Sequence, residues 1–229
     1  MAKRHMKRIA APKSWNIEKK KNKFITRPYP GSHSFKLGIS INTAFKDLLS
    51  MANTTKEVKN ILNHNNISVN GSRRKDPKYL VGFMDVIEMP DSNEYFRLLL
   101  DTKGRLTPVK IDKKEATLLI LKIKDKKRLP KNRLQINFEN GYNLIVEKDT
   151  YKTGDVVVFD SEKKKITELL KLEKNAQVFL TGGSHTGKVG AVDDIQGDKV
   201  TIKIKTDKYE TQKKYSFVIG KDKPLISLL

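Results

Sequence analysis

The sequence predicts a multidomain α+β protein that is built from several small pieces rather than around one large core. Lys and Arg number 47 against 26 Asp and Glu, and only 37% of the 229 residues are hydrophobic. Two helical patterns lie near residue 50, whereas short apolar runs separated by Gly, Pro and Asn dominate beyond residue 90. We therefore expect a basic N-terminal extension (1–40), a two-helix module (41–106), a β-rich middle domain (107–171) and a small C-terminal β-barrel (172–229).

The charge excess predicts a polyanionic partner. The formal net charge at pH 7 is +21, and phosphate groups neutralise such an excess with release of condensed counterions. A membrane partner is not expected, because the longest mostly apolar stretch, Ala116 to Leu121, is far shorter than the roughly 20 residues of a membrane span. No apolar signal-peptide segment is visible near the N-terminus either, so we expect an intracellular nucleic-acid-binding protein.

The extension is the most basic part of the chain, since residues 1–27 contain ten Lys or Arg and a single acid, Glu18. It has no helical or strand period and cannot bury a core by itself. It is either a solvated tail with a packed Trp, or a segment whose cations follow phosphates while the indole stacks on an unpaired base. The net charge favours RNA contacts, for which the candidates are Lys3, Arg4, Lys7, Arg8, Lys13, Trp15 and Arg27.

Two helices are predicted after a loop rich in Pro, Gly and Ser over residues 28–34. Apolar residues recur at helical spacing from Ile41 to Ala52, which predicts one amphipathic helix. Thr54 with Glu57 three residues later is a capping-box pattern, in which each side chain satisfies a free backbone donor of the other. The second helix should therefore begin at Thr54.

Short strands are predicted for the rest of the chain. Two are expected around Ile67–Val69 and Val86–Met89, with Asn70-Gly71 as a turn between them. Further strands are expected at FRLLL, ATLLILKI, LQINF, YNLIV and DVVVF, whereas residues 166–172 could form one or two helical turns. In the last piece, apolar residues recur at alternate positions, at Val178 and Leu180 and again at Val200, Ile202 and Ile204, and Gly197-Asp198 marks a hairpin turn between strands.

A basic cluster lies in the two-helix module, where it is either a solvated charged face or a surface for the phosphates of folded RNA. Its members are Lys56, Lys59, Arg73, Arg74, Lys75 and Lys78. The stretch TTKEVKNILNHNNISVNGSRRKD, followed by GFMDVI, resembles the small RNA-binding module named after bacterial ribosomal protein S-four. The resemblance implies two helices on a bent sheet, with RNA contacts from Lys56, Lys59, Arg73, Arg74 and Lys75, although Asn60 and Asn63 are not basic here.

The segment GGSHTGKV at residues 182–189 matches a nucleotide-binding phosphate loop except at its last position. That position is Val189, which has no hydroxyl group for magnesium, and no helix pattern follows it. The longer stretch QVFLTGGSHTGKVGAVDDI resembles instead a KOW motif, the strand-loop-strand signature of small barrels in ribosomal proteins and transcription factors. That resemblance implies RNA contacts from His185 and Lys188.

Catalytic and metal sites are not expected. The chain has no Cys, and its four His residues are too far apart in sequence to form a metal pair. Asp193 and Asp194 are adjacent, and neighbouring side chains of a strand point to opposite faces, so they are poorly placed to act together. We therefore predict no enzyme activity, no cofactor and no small-molecule substrate.

The order of the parts is more specific than any single part. HMKRIAAPKSW, RPYPGSHS, the two-helix module with VGFMDVI, a β-rich middle and a terminal KOW segment together resemble the small-subunit ribosomal protein S-four-e family, over essentially the whole chain. This resemblance implies a cytoplasmic, non-enzymatic protein of the ribosome that binds small-subunit rRNA beside neighbouring ribosomal proteins. Two alternatives remain, a KOW-containing transcription or translation factor and an RNA-modifying enzyme, such as a pseudouridine synthase, with the same two-helix module.

Overall fold

The computed structural model describes residues 5–130, 133–147, 149–204 and 207–228. The chain forms two compact units: unit 1 covers the chain up to Leu100 together with Arg105–Thr117, and unit 2 covers Asp101–Gly104 and Leu118–Leu228. Strands arranged in several sheets predominate, so helices contribute less than an α+β class would suggest. The finer division into four pieces stays a prediction.

Unit 1 contains three antiparallel sheets. Its strands are β1 (Met6–Lys7), β2 (Phe24–Ile25), β3 (Gly38–Ser40), β4 (Ser68–Val69), β5 (Ser72–Arg73), β6 (Leu80–Gly82), β7 (Val86–Met89), β8 (Glu94–Leu100) and β9 (Leu106–Lys110). Strand β1 pairs with β2, β3 pairs with β6, and the remaining five lie in the order β5-β4-β7-β8-β9. FRLLL is thus part of β8, as predicted, and lies in the same sheet as the strands of the two-helix module.

The first predicted helix is shorter and less regular than its apolar pattern suggested. An α-helical turn, α1 (Ile41–Thr43), runs directly into a π-helical turn over Ala44–Leu48. The wider turn arises because the Leu49 amide donates to the Ala44 carbonyl, five residues earlier. Ser50 then adopts a left-handed φ of 54°, which ends the helix before the predicted limit at Ala52.

The second predicted helix is confirmed as α2 (Thr55–His64), with Thr54 as its N-cap. The Glu57 amide donates to the Thr54 hydroxyl at 3.2 Å, and the Glu57 carboxylate accepts from the Thr54 amide at 3.4 Å, which completes the capping box. Val58 and Leu62 have no exposed surface and hold the helix on unit 1. A four-residue helix, α3 (Lys113–Ala116), follows β9.

The predicted turn at Asn70-Gly71 is present, but it joins β4 to β5, a strand that we did not predict. Both residues have positive φ, 52° and 72°, as the tightest hairpin turn requires. Strand β7 pairs with the other edge of β4, through Ser68 opposite Glu88 and Val69 opposite Ile87. The two predicted strands are therefore neighbours, but the turn brings β5 to the edge of the sheet.

Unit 2 contains two five-stranded antiparallel sheets. Its strands are β10 (Leu118–Leu129), β11 (Arg133–Phe138), β12 (Asn143–Val146), β13 (Val156–Asp160), β14 (Lys165–Leu170), β15 (Gln177–Leu180), β16 (Val189–Gln196), β17 (Lys199–Ile204), β18 (Asp207–Gln212) and β19 (Ser216–Gly220). Their orders are β12-β11-β10-β13-β14 and β18-β17-β16-β15-β19. The predicted strands and the Gly197-Asp198 hairpin are confirmed, and the second sheet fits a barrel-like domain.

The helical interpretation of residues 166–172 is wrong, because most of this segment lies in strand β14. It pairs with β13 from Val156 opposite Leu170 to Asp160 opposite Lys165. The apolar residues are spaced ambiguously, and pairing with an already buried strand decides between the two structures. This pairing between distant segments could not be read from the local pattern.

Candidate nucleic-acid interface

The exposed side of α2 carries two Lys residues. Lys56 and Lys59 are exposed, whereas Val58 and Leu62 on the opposite side are buried. Because residues three apart lie on neighbouring positions of a helix surface, the two ammonium groups belong to one face. The helix therefore anchors this pair of cations without burying either of them.

A buried carboxylate fixes the turn that leads to the Arg pair. Asp85 is 3% exposed, and its oxygens accept from the Asn70 side-chain amide at 2.7 Å and from the Gly82 amide at 2.8 Å. Its carboxylate also lies 2.7 Å from Nε2 of His33, in the loop before β3. The Asn70 side-chain oxygen in turn accepts from the Val86 amide at 2.8 Å. This network holds the β4-β5 turn in place, and the turn positions Arg73.

Two of the predicted cations lie over aromatic rings. The guanidinium of Arg74 is 4.4 Å from the ring centroid of Tyr79, and the ammonium of Lys78 is 5.1 Å from that of Tyr29. Burial raises the pKa of the Tyr79 hydroxyl, although the charge of Arg74 acts in the opposite direction. Both cations are half-buried, so the rings restrict their motion while part of each side chain stays accessible.

We call the predicted cations of this region the module face: Lys56, Lys59, Arg73, Arg74, Lys75 and Lys78. Within the part of the chain that the structure describes, none of the six forms an ion pair with a carboxylate. Four of them, on α2 and after the Asn70-Gly71 turn, are exposed. The face is thus a group of cations that are free to meet an external anion.

The described part of the extension belongs to unit 1 and packs within it. Two of its predicted RNA contacts need correction. Trp15 is 2% exposed, and its indole N–H donates to the Gly38 carbonyl at 2.8 Å, so the ring cannot stack on a base. Arg8 is 3% exposed and forms an ion pair with Asp47. Both side chains are engaged by residues far away in the sequence, which their local pattern could not reveal.

The other predicted contacts of the extension fall into two groups. Lys7 and Lys13 are exposed and Arg27 is half-buried, so all three reach the surface of unit 1. Lys3 and Arg4 lie outside the described residues. Exposed aromatic side chains of the same region were missed: Phe24, Tyr29 and Phe35 are 51%, 53% and 40% exposed. An aromatic residue beside basic residues was the available signal, but only the lone Trp was singled out.

The glycine-rich loop of residues 181–188 joins strands β15 and β16. Because a strand follows it, the helix that a nucleotide-binding phosphate loop needs is absent from this described segment. Gly187 has a φ of 80°, and a Cβ there would lie 2.3 Å from the Asp101 carbonyl oxygen, so only glycine fits. The loop is therefore a tight backbone connection, and its likeness to a KOW motif stays a prediction.

Both candidate contacts of this loop lie beside Tyr209 on β18. The ring centroids of His185 and Tyr209 are 4.0 Å apart, and the Lys188 ammonium is 5.9 Å from the Tyr209 centroid. The same ammonium is 3.4 Å from Nδ1 of His185. The pair thus forms a small polar and aromatic surface on unit 2.

Among the described residues, no group of three or more His, Asp or Glu side chains is placed to hold a metal ion. No helix in the described ranges is long and apolar enough to cross a membrane.

Comparisons with known proteins match three family models along the chain. Residues 2–36 match the RS4NT (NUC023) domain, residues 48–87 match the S4 domain, and residues 92–166 match Ribosomal family S4e. The S4 domain match contains the whole module face, and the RS4NT match contains most of the extension. The predicted family resemblance is therefore confirmed, except for the KOW motif, which these matches do not include.

Similar proteins cover the chain from end to end. Small ribosomal subunit protein eS4 of Methanosphaera stadtmanae is 37% identical over 100% of this chain and 97% of its own length. The protein of the same name from Methanococcus aeolicus is 34% identical over 98% of this chain and 97% of its own. The crystal structure of 30S ribosomal protein S4e from Thermoplasma acidophilum matches 80% of this chain and 95% of its own at 28% identity, with a TM-score of 0.71. The chain belongs to the small ribosomal subunit protein eS4 family.

Proposed function

We propose that this protein is a structural constituent of the small ribosomal subunit that binds small-subunit rRNA and supports subunit assembly and translation in the cytoplasm. The observation that carries the proposal is the module face, with its six cations that have no carboxylate partner in the described residues. It lies within the segment that matches the S4 domain. The names of the relatives, which are small-subunit ribosomal proteins, support the same assignment.

Physical chemistry favours folded RNA as the ligand of the module face. Exposed cations bind phosphates with release of condensed counterions, so their free energy of binding depends strongly on salt. The cations of α2 are fixed on a helix, and Arg73 follows a rigid turn, so they present a fixed pattern of charge. Such a pattern suits the shape of an RNA helix and its phosphates rather than one base sequence.

We propose further RNA contacts from the other candidate residues. On unit 1, Lys7, Lys13 and Arg27 contact phosphates near the extension, and Lys3 and Arg4 are proposed to do so as well. On unit 2, His185 and Lys188 form a separate contact. Arg8 and Trp15 are left out, because both are buried against the protein. Neighbouring small-subunit proteins are proposed as further partners.

The protein is not an enzyme, since its family is a family of ribosomal proteins. An RNA-modifying enzyme with the same module would need a catalytic domain, and the eS4 relatives account for the whole length of this chain. The remaining alternative is a translation or transcription factor. It differs from a ribosomal constituent in how firmly it stays on the particle.

Gradient sedimentation tests the proposed function. The tagged full chain is expressed in cells, ribosomal subunits are separated from a lysate, and the small-subunit fraction is washed with high salt. A constituent is expected to stay with the small subunit through the wash, because many contacts hold it in place. Protein that leaves the particle at moderate salt, or that never sediments with it, would contradict the proposal and favour a factor.

A further inference from the structure

A pocket on the extension of unit 1 combines an apolar floor with a basic rim. It is lined by His5, Met6, Lys7, Ala10, Arg27 and Phe35. Met6 is buried, whereas Phe35 is 40% exposed and Lys7 is exposed. No Asp or Glu is among the lining residues that the structure describes. The pocket is therefore suited to a flat apolar group that carries negative charge beside it.

The aromatic wall of this pocket is held rigidly from behind. Trp15 packs against Phe35 with ring centroids 5.4 Å apart and an interplanar angle of 47°. Trp15 is itself fixed by its hydrogen bond to the Gly38 carbonyl and by a bridge to Leu106. The buried indole thus supports the Phe35 ring, which is the accessible aromatic side chain of the two.

A second exposed ring, that of Phe24, lies on β2, next to the pocket residues Met6 and Lys7 of β1. Phe24 faces Lys7 across β1 and β2, and its ring meets that of His5 edge-on at 5.7 Å. The ammonium of Lys23 is 5.5 Å from the Phe24 centroid. Paired residues of adjacent strands project to the same side, so these groups continue the basic and aromatic surface around the pocket.

We infer that this pocket receives an unpaired nucleobase of RNA, which stacks on Phe35 while Lys7 and Arg27 hold the flanking phosphates. Bases stack on exposed aromatic rings, and cations beside the ring bind the adjacent backbone; this combination characterises single-stranded nucleic-acid sites. A protein segment would fit the apolar floor, but it would leave the cationic rim without a matching charge. The inference rests on the proposed RNA-binding function and adds a base-stacking site, distinct from the phosphate contacts of the module face.

The test compares two short single-stranded RNA ligands that carry the same charge. The full chain is titrated with a uridine oligonucleotide and with an abasic ribose-phosphate oligonucleotide of equal length. The wild type is expected to prefer the uridine ligand by about fivefold or more, since stacking of one base is lost in the abasic ligand. Phe35→Leu should abolish this preference, whereas Phe35→Tyr should retain it because the ring is preserved.

A matched control distinguishes base stacking on Phe35 from nonspecific contact of the RNA with exposed apolar side chains. Ile9 is 68% exposed on the neighbouring 3-10 turn but is not part of the pocket, so Ile9→Ala should leave the preference unchanged. Lys7→Ala should weaken both ligands equally, because both carry phosphates. An unchanged preference in Phe35→Leu would overturn the inference and favour a protein occupant. A stable association with the small subunit in that same variant would show that the proposed function itself still stands.

Discussion

The cations of the module face differ in their partners from three lysines of unit 2. Lys174, Lys199 and Lys208 in unit 2 form ion pairs with Asp194, Glu210 and Asp193 at 3.0, 3.5 and 2.6 Å. The cations of the module face form no such pair in the described residues. Exposed pairs of this kind contribute little to stability, but they reduce the charge that an external phosphate meets. Basic composition alone therefore does not locate the binding surface.

The same contrast appears in the overall charge of the two units. Over its residue ranges, unit 1 contains 23 Lys and Arg against 10 Asp and Glu, whereas unit 2 contains 24 against 16. The numbers of cations are nearly equal, so the difference lies in the acids. In the described residues, eight lysines of unit 2 form ion pairs with acids, and Arg8, Arg97 and Lys110 do so in unit 1, so more of the cations of unit 2 are neutralised within the protein.

The largest expected effect concerns the buried network below the module face. Asp85→Ala removes the carboxylate that accepts from the Asn70 side-chain amide and from the Gly82 N–H, which should cost about 3 kcal/mol of unfolding free energy. Trp15 is the one Trp of the chain and lies in unit 1, so its fluorescence during urea unfolding reports this unit. The matched variant Asp194→Ala removes an exposed pair in unit 2 and should leave that transition in place. Equal transitions for both variants would contradict the assigned role of Asp85.

A smaller effect is expected at the start of α2. Thr54→Ala removes the hydroxyl that accepts from the Glu57 amide at 3.2 Å, and loss of such a cap costs about 1 kcal/mol. The urea midpoint of the Trp15 transition should fall accordingly. Thr54→Ser keeps the hydroxyl and serves as the control, which should stay close to the wild type. If the serine and alanine variants fell together, the cap would not be the cause.

The smallest predicted effect is a pH dependence at the same helix. The pKa of the Glu57 carboxyl is lowered from its ordinary 4.5, first by the hydrogen bond from the Asn53 amide and then by that from Thr54. The folded state keeps this carboxylate charged to lower pH than the unfolded chain does, so its contribution is complete above about pH 4.5 and is lost as the pH falls through the lowered pKa. Glu57→Gln should remove this part of the acid dependence in Trp15-monitored unfolding; an identical acid profile would refute it.

Local patterns were sufficient to predict much of this fold. The capping residues of α2, the left-handed Asn70-Gly71 turn and most of the strands depend on neighbours in the sequence, and they were predicted correctly. Features that depend on distant residues were not. The burial of Arg8 against Asp47, the pairing of β14 with β13 and the π-helical turn all follow from tertiary packing.

The residues of the candidate site show the same difference between local and distant causes. The module face could be proposed from sequence, because spacing and a family resemblance identify its cations. The stacking role of Trp15 was wrong, since only the structure shows its indole bound to the Gly38 carbonyl. Phe35, which packs against that indole and is itself exposed, stands beside Lys36, but nothing in its local sequence indicated that it rather than Trp15 would be accessible.

The most direct test of the account is the salt dependence of RNA binding in two matched triple variants. One replaces Lys59, Arg73 and Lys75 by Ala on the module face, and the other replaces Lys174, Lys199 and Lys208 by Ala in unit 2, so both lose three positive charges. Binding of each full chain to a small-subunit rRNA fragment is measured over a range of salt concentrations. The slope of log K against log salt is negative. We expect its magnitude to decrease by about 2 in the first variant and by less than about 1 in the second, because fewer counterions are released. Equal slopes, or the larger fall in the unit 2 variant, would contradict the claim that the unpaired cations of unit 1 bind the RNA.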